Sequence, residues 1–144
     1  MTDADWTLHP QLAADTVTVG ELPLGRLLLS NDANYPWLIL VPRRAGIREI
    51  HELGEADQLQ LLRESMLLSK AMMAVFAPDK LNIAALGNVV PQLHVHHIAR
   101  YSTDPAWPAP VWGRVPSLPY DADLRAARLA QLRAALAESL VAAG

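Results

Sequence analysis

Three short apolar runs joined by turn-forming residues dominate the first third of the chain. They are VTVGEL at 17–22, GRLLLS at 25–30 and WLILVP at 37–42. The separating sequences PLG and NDAN are rich in residues that favour tight turns, so the three runs predict an antiparallel meander. Residues 37–41 are apolar on both faces, which predicts a central strand covered on each side.

A helix and two more strands are predicted downstream. Residues 55–76 have a helical period that must end before Pro78, because proline cannot continue a helix. Its apolar stripe is predicted to pack in the core: Leu59, Leu62, Met66, Met73 and Phe76, broadened by Leu61, Leu68, Met72 and Val75. The further strands are predicted at 81–86 and 93–100.

The last third of the chain begins with an unusual composition. Residues 101–120 contain five of the eleven prolines and two of the four tryptophans, which predicts an ordered but irregular segment. A helix is predicted over 121–142, with its apolar stripe at Leu124, Leu129, Leu132, Leu136 and Leu140. The pattern as a whole predicts a single α+β domain over 1–144 with a catalytic core at about 17–100.

The composition excludes several classes of site. The chain has no cysteine, so disulfides, thiolate metal sites and a cysteine nucleophile are excluded. The formal charge of −3 gives no general attraction to nucleic acid or to an anionic membrane. The N-terminal sequence MTDADWTLHP lacks the apolar core of a secretory signal, and no apolar run reaches about 18 residues. We therefore expect a soluble cytoplasmic protein without nucleic-acid or membrane partners.

Three of the five histidines fall within the segment VPQLHVHHIAR. Because side chains alternate faces along a strand, His94 and His96 share one face with Gln92 and Arg100, whereas His97 points to the other. Two imidazoles on one face suit a pair of metal ligands, or a nucleophile beside a donor that stabilises charge. Two structural histidines are a third interpretation, and the spacing alone leaves all three open.

The wider string LGNVVPQLHVHHIAR resembles the histidine triad (HIT) superfamily of nucleotide hydrolases and transferases, whose motif is His-φ-His-φ-His-φ-φ with φ apolar. Gln92 stands at the first histidine of the motif, His94 at the second and His96 at the third, and Arg100 matches an arginine that often follows. With LILVPRR and the long helix, the resemblance covers about residues 20–100. It implies a HIT-like fold, namely a five-stranded antiparallel sheet with flanking helices and a C-terminal helix, and a homodimer.

The resemblance also implies roles for the polar residues. His94 would attack the α-phosphate of a nucleotide, forming a nucleotidyl-histidine intermediate that water hydrolyses. For that, its other ring nitrogen should be held by an acceptor such as the backbone carbonyl of Gln92. His96 would donate to a phosphate oxygen, and Asn88 matches a phosphate-contacting position. No cofactor or metal is required, although a divalent cation can accompany the substrate as a counter-ion.

The departure from the motif is Gln92. A carboxamide can donate to phosphate but cannot supply a proton as imidazolium does, so weak protonation of the leaving group is expected. This favours pyrophosphate or nucleotide leaving groups over the amines of phosphoramidates, as in dinucleoside polyphosphates and related nucleotide conjugates that release a nucleoside monophosphate. The alternatives are a nucleotide-binding regulator without turnover, and a metal-dependent hydrolase with His94 and His96 as ligands.

Asn31 and Asp32 are candidates for binding a ribose hydroxyl, because the resemblance puts the nucleoside near the turn between the second and third strands. Both residue types are also common in turns, so a purely structural role stays open. Arg100 is a candidate for the rim of the same pocket. Arg43 and Arg44 are interpreted as a solvated basic pair rather than a polyphosphate site.

The remaining aromatic and histidine residues are less specific. Trp107 and Trp112 either cover the base, cover the site of a dimer neighbour, or pack the irregular segment, with packing favoured. His9 and His51 have no partner nearby in sequence and are interpreted as surface or capping residues.

Overall fold

Five strands form one antiparallel sheet in the computed structural model, which describes residues 5–141. The strands are β1 (Thr16–Glu21), β2 (Gly25–Ser30), β3 (Trp37–Pro42), β4 (Lys80–Ala84) and β5 (Val95–Arg100). Their order in the sheet is β1-β2-β3-β5-β4, and every neighbouring pair is antiparallel. The predicted meander and the central position of β3 are confirmed.

Three helices accompany the sheet. They are α1 (Pro10–Asp15), α2 (Glu55–Phe76) and α3 (Ala122–Ala135), and a 3-10 turn at Ile50–Glu52 precedes α2. α2 ends as predicted, because Ala77 adopts a left-handed conformation with φ of 44° and Pro78 follows. The short α1 was not predicted.

The predicted boundaries of α3 and β5 need correction. α3 ends at Ala135 rather than at 142, because the chain turns at Leu136 and Val141 then pairs with Glu21 of β1. Residues 142–144 lie outside the described part of the chain. β5 begins at Val95, so His94 belongs to the loop that leads into the strand.

α2 and α3 cover one face of the sheet. A buried cluster joins strands and helices there: Val19, Leu27, Leu29, Leu38, Leu68, Ala71, Met72, Ala99, Leu132 and Leu136. Arg133 of α3 also reaches the outer edge of β1, where its guanidinium donates to the carbonyls of Thr18 and Val19 at 3.1 and 2.9 Å. This face therefore contains the larger part of the core.

The predicted core stripe of α2 is wrong for four residues. Leu59, Leu62, Met66 and Met73 are 41–57% exposed. The helix instead buries the neighbouring stripe: Leu61, Glu64, Ser65, Leu68, Ala71 and Met72. α2 is apolar around most of its circumference, so the period predicted a helix without showing which side faces the sheet.

The N-terminal segment covers the other face of the sheet. Trp6 and Leu12 pack against a buried cluster of Leu28, Ile39, Val41 and Val90. The guanidinium of Arg26 lies 4.9 Å from the centre of the Trp6 ring. Within residues 5–141 no helix combines the length and apolarity needed to cross a bilayer.

Candidate active site

A cavity of about 670 Å³ opens on the face of the sheet that the N-terminal segment covers. Its walls come from α1, the turn after β2, the loop between β4 and β5 with the start of β5, and the irregular segment after β5. Polar groups reach it from each wall: Asp15, Asp32, Asn88, His94, His96 and Ser117. The two histidines of the predicted pair therefore face a common cavity.

His94 is held by the backbone two residues before it. Its side chain is largely buried, and Nδ1 lies 2.7 Å from the carbonyl oxygen of Gln92. Because a carbonyl oxygen only accepts, Nδ1 must carry the proton of the neutral ring. Nε2 of His94 therefore keeps a lone pair. The contact between Nδ1 of His94 and the Gln92 carbonyl is the one expected from the role that the resemblance implies.

His96 is held in the opposite tautomer. The indole N–H of Trp37 on β3 donates to Nδ1 of His96 at 2.9 Å. An indole nitrogen is only a donor, so Nδ1 of His96 must be the unprotonated nitrogen. The proton of the neutral ring is then on Nε2, which makes His96 a hydrogen-bond donor at the cavity.

The charge state of His96 agrees with this geometry. Burial, with the neighbouring His94 and His97 as smaller causes, lowers the pKa of His96 to about 3. The ring centres of His94 and His96 are 4.9 Å apart, with 74° between the planes. At neutral pH His96 is thus an uncharged hydrogen-bond donor at the cavity.

Trp112 of the irregular segment packs against this pair. Its ring centre lies 5.1 Å from that of His96 and 5.7 Å from that of Trp37, both edge to face. Trp112 also lines the cavity. Trp107 instead lies over the guanidinium of Arg100, so only one of the two candidate tryptophans reaches the site.

Asn31, Asp32 and Asn88 all line the cavity together with the two histidines. Asp32 also fixes the turn after β2, because its Oδ1 accepts from the backbone N–H of Asn34 and of Leu118. Asn88 follows Gly87, whose φ of 75° is a conformation that glycine adopts without strain. The structure thus brings together these three residues and the pair His94 and His96.

Gln92 does not lie where the strand pattern predicted. It precedes β5, and its side chain bonds to the N-terminal segment: Oε1 accepts from His9 N–H and Nε2 donates to the Thr7 carbonyl, both at 2.9 Å. It is absent from the lining of the large cavity but lines the narrow crevice beside His94. Its carboxamide is therefore occupied by the protein's own backbone.

Arg100 also lies away from the cavity, contrary to the prediction. It is 1% exposed, and its guanidinium forms an ion pair with Asp104, with Nε 2.8 Å from Oδ2. It also donates to Oδ1 of Asn82 at 2.7 Å and to the carbonyl of Ala109 at 2.8 Å. Arg100 joins β5 to β4 and to the irregular segment, which leaves its donors directed into the protein.

Arg43 and Arg44 are not the solvated pair that was predicted. Arg43 is buried and donates to the carbonyls of Leu22 and Pro23 in the β1–β2 hairpin. Arg44 forms an ion pair with Asp57 of α2. Arg43 thus holds the β1–β2 hairpin, and Arg44 holds the start of α2.

The two isolated histidines behave as the sequence suggested. His9 is the N-cap of α1, and its Nδ1 accepts from the backbone N–H of Gln11. His51 is exposed on the 3-10 turn. Neither lines the cavity.

Sequence reasoning missed three contributors to the site. The sequence predicts Trp37 only as part of a buried strand. Trp37 lies diagonally across from His96 on the adjacent strand, and that position allows the two side chains to meet. The α1 wall was missed, although His9 followed by Pro10 is a recognisable helix start. Arg48 lines a second, narrow crevice that shares Leu86, Gly87 and His94 with the cavity, and no local pattern marks it.

The metal-ligand alternative conflicts with the hydrogen bonds. A metal at Nε2 of His96 would require a lone pair there, which the neutral ring lacks while Trp37 donates to Nδ1. Across residues 5–141, no three His, Asp or Glu side chains form a group that could hold a metal ion. The geometry therefore supports a nucleophile beside a donor.

The HIT domain family matches residues 11–103 of the chain. A histidine triad protein from Marinobacter aquaeolei is 54% identical, with a TM-score of 0.90 over 93% of this chain and 98% of that one. A histidine triad protein from Bradyrhizobium japonicum is 51% identical, with a TM-score of 0.89 over 90% and 96% of the two chains.

A histidine triad protein from Sinorhizobium meliloti is 41% identical, with a TM-score of 0.91 over 94% of this chain and 100% of that one. Among curated proteins, none matches the sequence. The fold, the paired histidines at the start of β5 and these similarities agree: the chain belongs to the histidine triad family.

Proposed function

We propose that the chain is a nucleotide phosphoanhydride hydrolase that works through a nucleotidyl-histidine intermediate on His94. Proteins of the histidine triad family are generally nucleotide hydrolases or transferases. The observation that carries the proposal is the opposite tautomers of the neighbouring rings. One nitrogen with a lone pair and one N–H donor at a common cavity are what attack on a phosphorus atom requires.

In the first step, Nε2 of His94 attacks the α-phosphorus and forms a P–N bond. The bond from phosphorus to the bridging oxygen breaks, and the leaving phosphate or nucleotide departs with the electron pair. Nδ1–H of His94 stays on the Gln92 carbonyl, which stabilises the positive charge that develops on the ring. Nε2–H of His96 donates to a non-bridging oxygen of the phosphoryl group.

In the second step, water attacks the same phosphorus atom. The P–N bond breaks, its electron pair returns to Nε2 of His94, one proton of the attacking water passes to the solvent, and a nucleoside monophosphate is released. A phosphate or nucleotide leaving group is a stable anion at neutral pH and departs without an added proton. The first step therefore needs no imidazolium at position 92 to protonate the leaving group.

The cavity supports a nucleoside at one end of this substrate. Leu12, Ile39 and Val90 supply apolar wall, and Asp32 and its neighbour Asn31 supply acceptors suited to ribose hydroxyls. Among the described residues that line it, none is Arg or Lys. The narrow crevice beside His94 has a volume of only about 10 Å³ and is lined by Glu49 as well as Arg48, so it gives the polyphosphate neither room nor net positive charge.

The proposal is tested with adenosine and guanosine dinucleoside polyphosphates and nucleotide phosphoramidates, incubated with the full chain and analysed by chromatography, with and without chelator. A nucleoside monophosphate should appear as a constant product, and the chelator should reduce the rate at most modestly. Quenching during turnover should trap an adduct on His94, mapped by mass spectrometry. Binding of AMP without turnover of any of these compounds would instead favour a nucleotide-binding regulator.

We also propose that the protein is a homodimer through the exposed side of α2 and the adjoining edge strand β4. Leu59, Leu62, Met66 and Met73 fall within about 60° of one another around the helix axis, at 100° per residue. Ile83 of β4 is exposed as well. An apolar surface of this kind is typical of an interface between copies.

Light scattering at micromolar concentration should report about twice the chain mass of 15.7 kDa. The variant Met66→Glu should shift the mass toward the monomer, because it places a charge in the middle of the apolar surface. Arg63→Glu is a matched control on the same helix. A monomeric wild-type protein would contradict the assembly.

A further inference from the structure

The geometry points to Gln92 as a positioning residue. Its side chain fixes the N-terminal segment with α1, which forms the wall of the cavity beside the proposed nucleoside site, whereas the histidine motif has a proton donor at this position. This inference rests on the proposed function for its kinetic consequences. The contacts that support it are independent of catalysis.

The N-terminal segment is a wall of the cavity as well as a cover for the sheet. Gln11, Leu12 and Asp15 of α1 line the cavity. The carbonyls of Ala14 and Asp15, at the end of α1, accept from the side chain and the backbone N–H of Asn31 at 3.2 and 2.9 Å. A shift of α1 would therefore also move Asn31, one of the proposed nucleoside contacts.

Gln92 attaches this wall to the catalytic loop. Its carboxamide forms a paired donor and acceptor contact with extended backbone, bonding to the carbonyl of Thr7 and the N–H of His9. Its own backbone carbonyl accepts from Nδ1 of His94. One residue thus holds the wall with its side chain and orients the nucleophile with its main chain.

The two contacts require a carboxamide. An amide group presents one donor and one acceptor on the same edge, which matches the donor and acceptor of an extended peptide. The ring nitrogens of histidine point in different directions, so a single imidazole cannot reach both partners. Glutamate keeps the acceptor but places a charged oxygen against the Thr7 carbonyl. The first motif position is therefore adapted to hold backbone.

The kinetic consequence separates this role from acid catalysis. Loosening the wall weakens binding of the nucleoside in ground state and transition state alike, which raises KM with little change in kcat. The effect should be the same for good and poor leaving groups. An acid role would change kcat, with the largest effect on poor leaving groups.

The test compares the wild-type protein with Gln92→Met, Gln92→Glu and Gln92→His. Hydrogen exchange followed by mass spectrometry reports the wall directly. We expect amides in residues 6–15 to exchange about fivefold or more faster in the Met and His variants, with β3 and β5 unchanged and the Glu variant in between. Gln58→Met removes one side-chain bond to the Leu53 carbonyl at the start of α2 and is the matched control.

The second arm measures AMP binding by calorimetry and turnover of a diadenosine polyphosphate. We expect the AMP dissociation constant and KM to rise about tenfold in Gln92→Met, with kcat within about threefold of wild type. Unchanged exchange and unchanged AMP binding in that variant would overturn the inference. So would a selective gain in kcat of Gln92→His on poor leaving groups.

If no dinucleotide is turned over by the wild-type protein, the hydrolase proposal fails. Hydrogen exchange and AMP binding still decide the role of Gln92 in that case. Circular dichroism of each variant identifies one that has lost the fold, and the Glu variant then carries the comparison.

Discussion

His96 and His97 are adjacent on one strand, both buried and both neutral, yet only one of them retains a free hydrogen-bonding group. Burial lowers the pKa of His96 to about 3 and that of His97 to about 4. On the helix-facing side, Nδ1 of His97 donates to the Val95 carbonyl, and Nε2 accepts from the hydroxyl of Ser65. On the cavity side, Trp37 satisfies Nδ1 of His96 and leaves Nε2–H for a ligand.

The difference shows that the face of β5 turned toward α2 has a structural role, whereas the face turned toward the cavity presents the group proposed to bind substrate. His97 connects the sheet to α2, since both of its nitrogens have partners inside the protein. His96 has one internal partner, and that partner determines which nitrogen faces the cavity. Burial and pKa alone do not distinguish the two residues, whereas the hydrogen-bond partners do.

The largest effect is expected from removing the nucleophile. His94→Ala should lower kcat by at least about 10⁴-fold, because no other group can form the covalent intermediate. AMP binding, measured by calorimetry, should stay close to wild type, since the walls of the cavity remain. Retained turnover in this variant would place the attacking nitrogen elsewhere.

The next effect tests the two faces directly. His96→Ala should lower kcat about 10²- to 10³-fold, because it removes one donor to the transition state. His97→Ala is the matched variant on the opposite face, and its folded protein should keep most of the activity. Steady-state kinetics at saturating substrate, with circular dichroism to confirm folding, compares them. Equal losses would mean that the division between the faces is wrong.

A smaller effect is expected from Trp37→Phe. The ring remains, but Nδ1 of His96 loses its donor, so the proton of the neutral imidazole is shared between the two nitrogens. One lost hydrogen bond of this kind corresponds to roughly a five- to tenfold fall in kcat. The ¹⁵N chemical shifts of His96 should change from one tautomer to a mixture. Unchanged shifts would show that Trp37 does not set the tautomer.

The smallest effect concerns stability at mildly acidic pH. The pKa values of His96 and His97 lie below the ordinary value of about 6.5 that applies in the unfolded chain. The unfolded state therefore binds more protons, and the free energy of unfolding decreases as the pH falls below about 6.5. From pH 7.5 to 5.5 we expect a loss of roughly 1 kcal/mol for each of the two histidines.

Urea denaturation at the two pH values measures this loss. In His97→Gln the contribution of that histidine disappears, so the difference between the two pH values should shrink by about half of the expected sum. An unchanged difference would show that His97 is protonated in the folded protein.

The sheet and the histidine pair were predictable because each depends on local sequence. Alternation and turn residues define β1, β2 and β3 to within one residue. The face shared by His94 and His96 follows from spacing along the chain, and the contact from His94 to the Gln92 carbonyl follows from the role that the family resemblance implies for His94.

The errors concern contacts between distant parts of the chain. Gln92 bonds to residues more than 80 positions away, and Arg100 is paired with Asp104 only because the irregular segment folds back over it. The exposed stripe of α2 was mistaken for core because two apolar stripes lie side by side on that helix. Periodicity and spacing do not show which distant residues contact each other or which apolar stripe of a helix faces the sheet.

The contacts of Arg133 and Val141 with β1 bear on how many copies can associate. An outer strand with free carbonyls and N–H groups is a template on which another chain can add. On β1 the guanidinium of Arg133 occupies two of those carbonyls, and the backbone of Val141 takes the place of an incoming strand beside Glu21. On β4 a smaller contact of this kind is present, because Nζ of Lys80 donates to the carbonyl of Leu81 at 3.0 Å. In the dimer proposed above, two copies join through β4 while the covered edge of β1 accepts no further strand, so the expected assembly is a closed pair instead of a fibre.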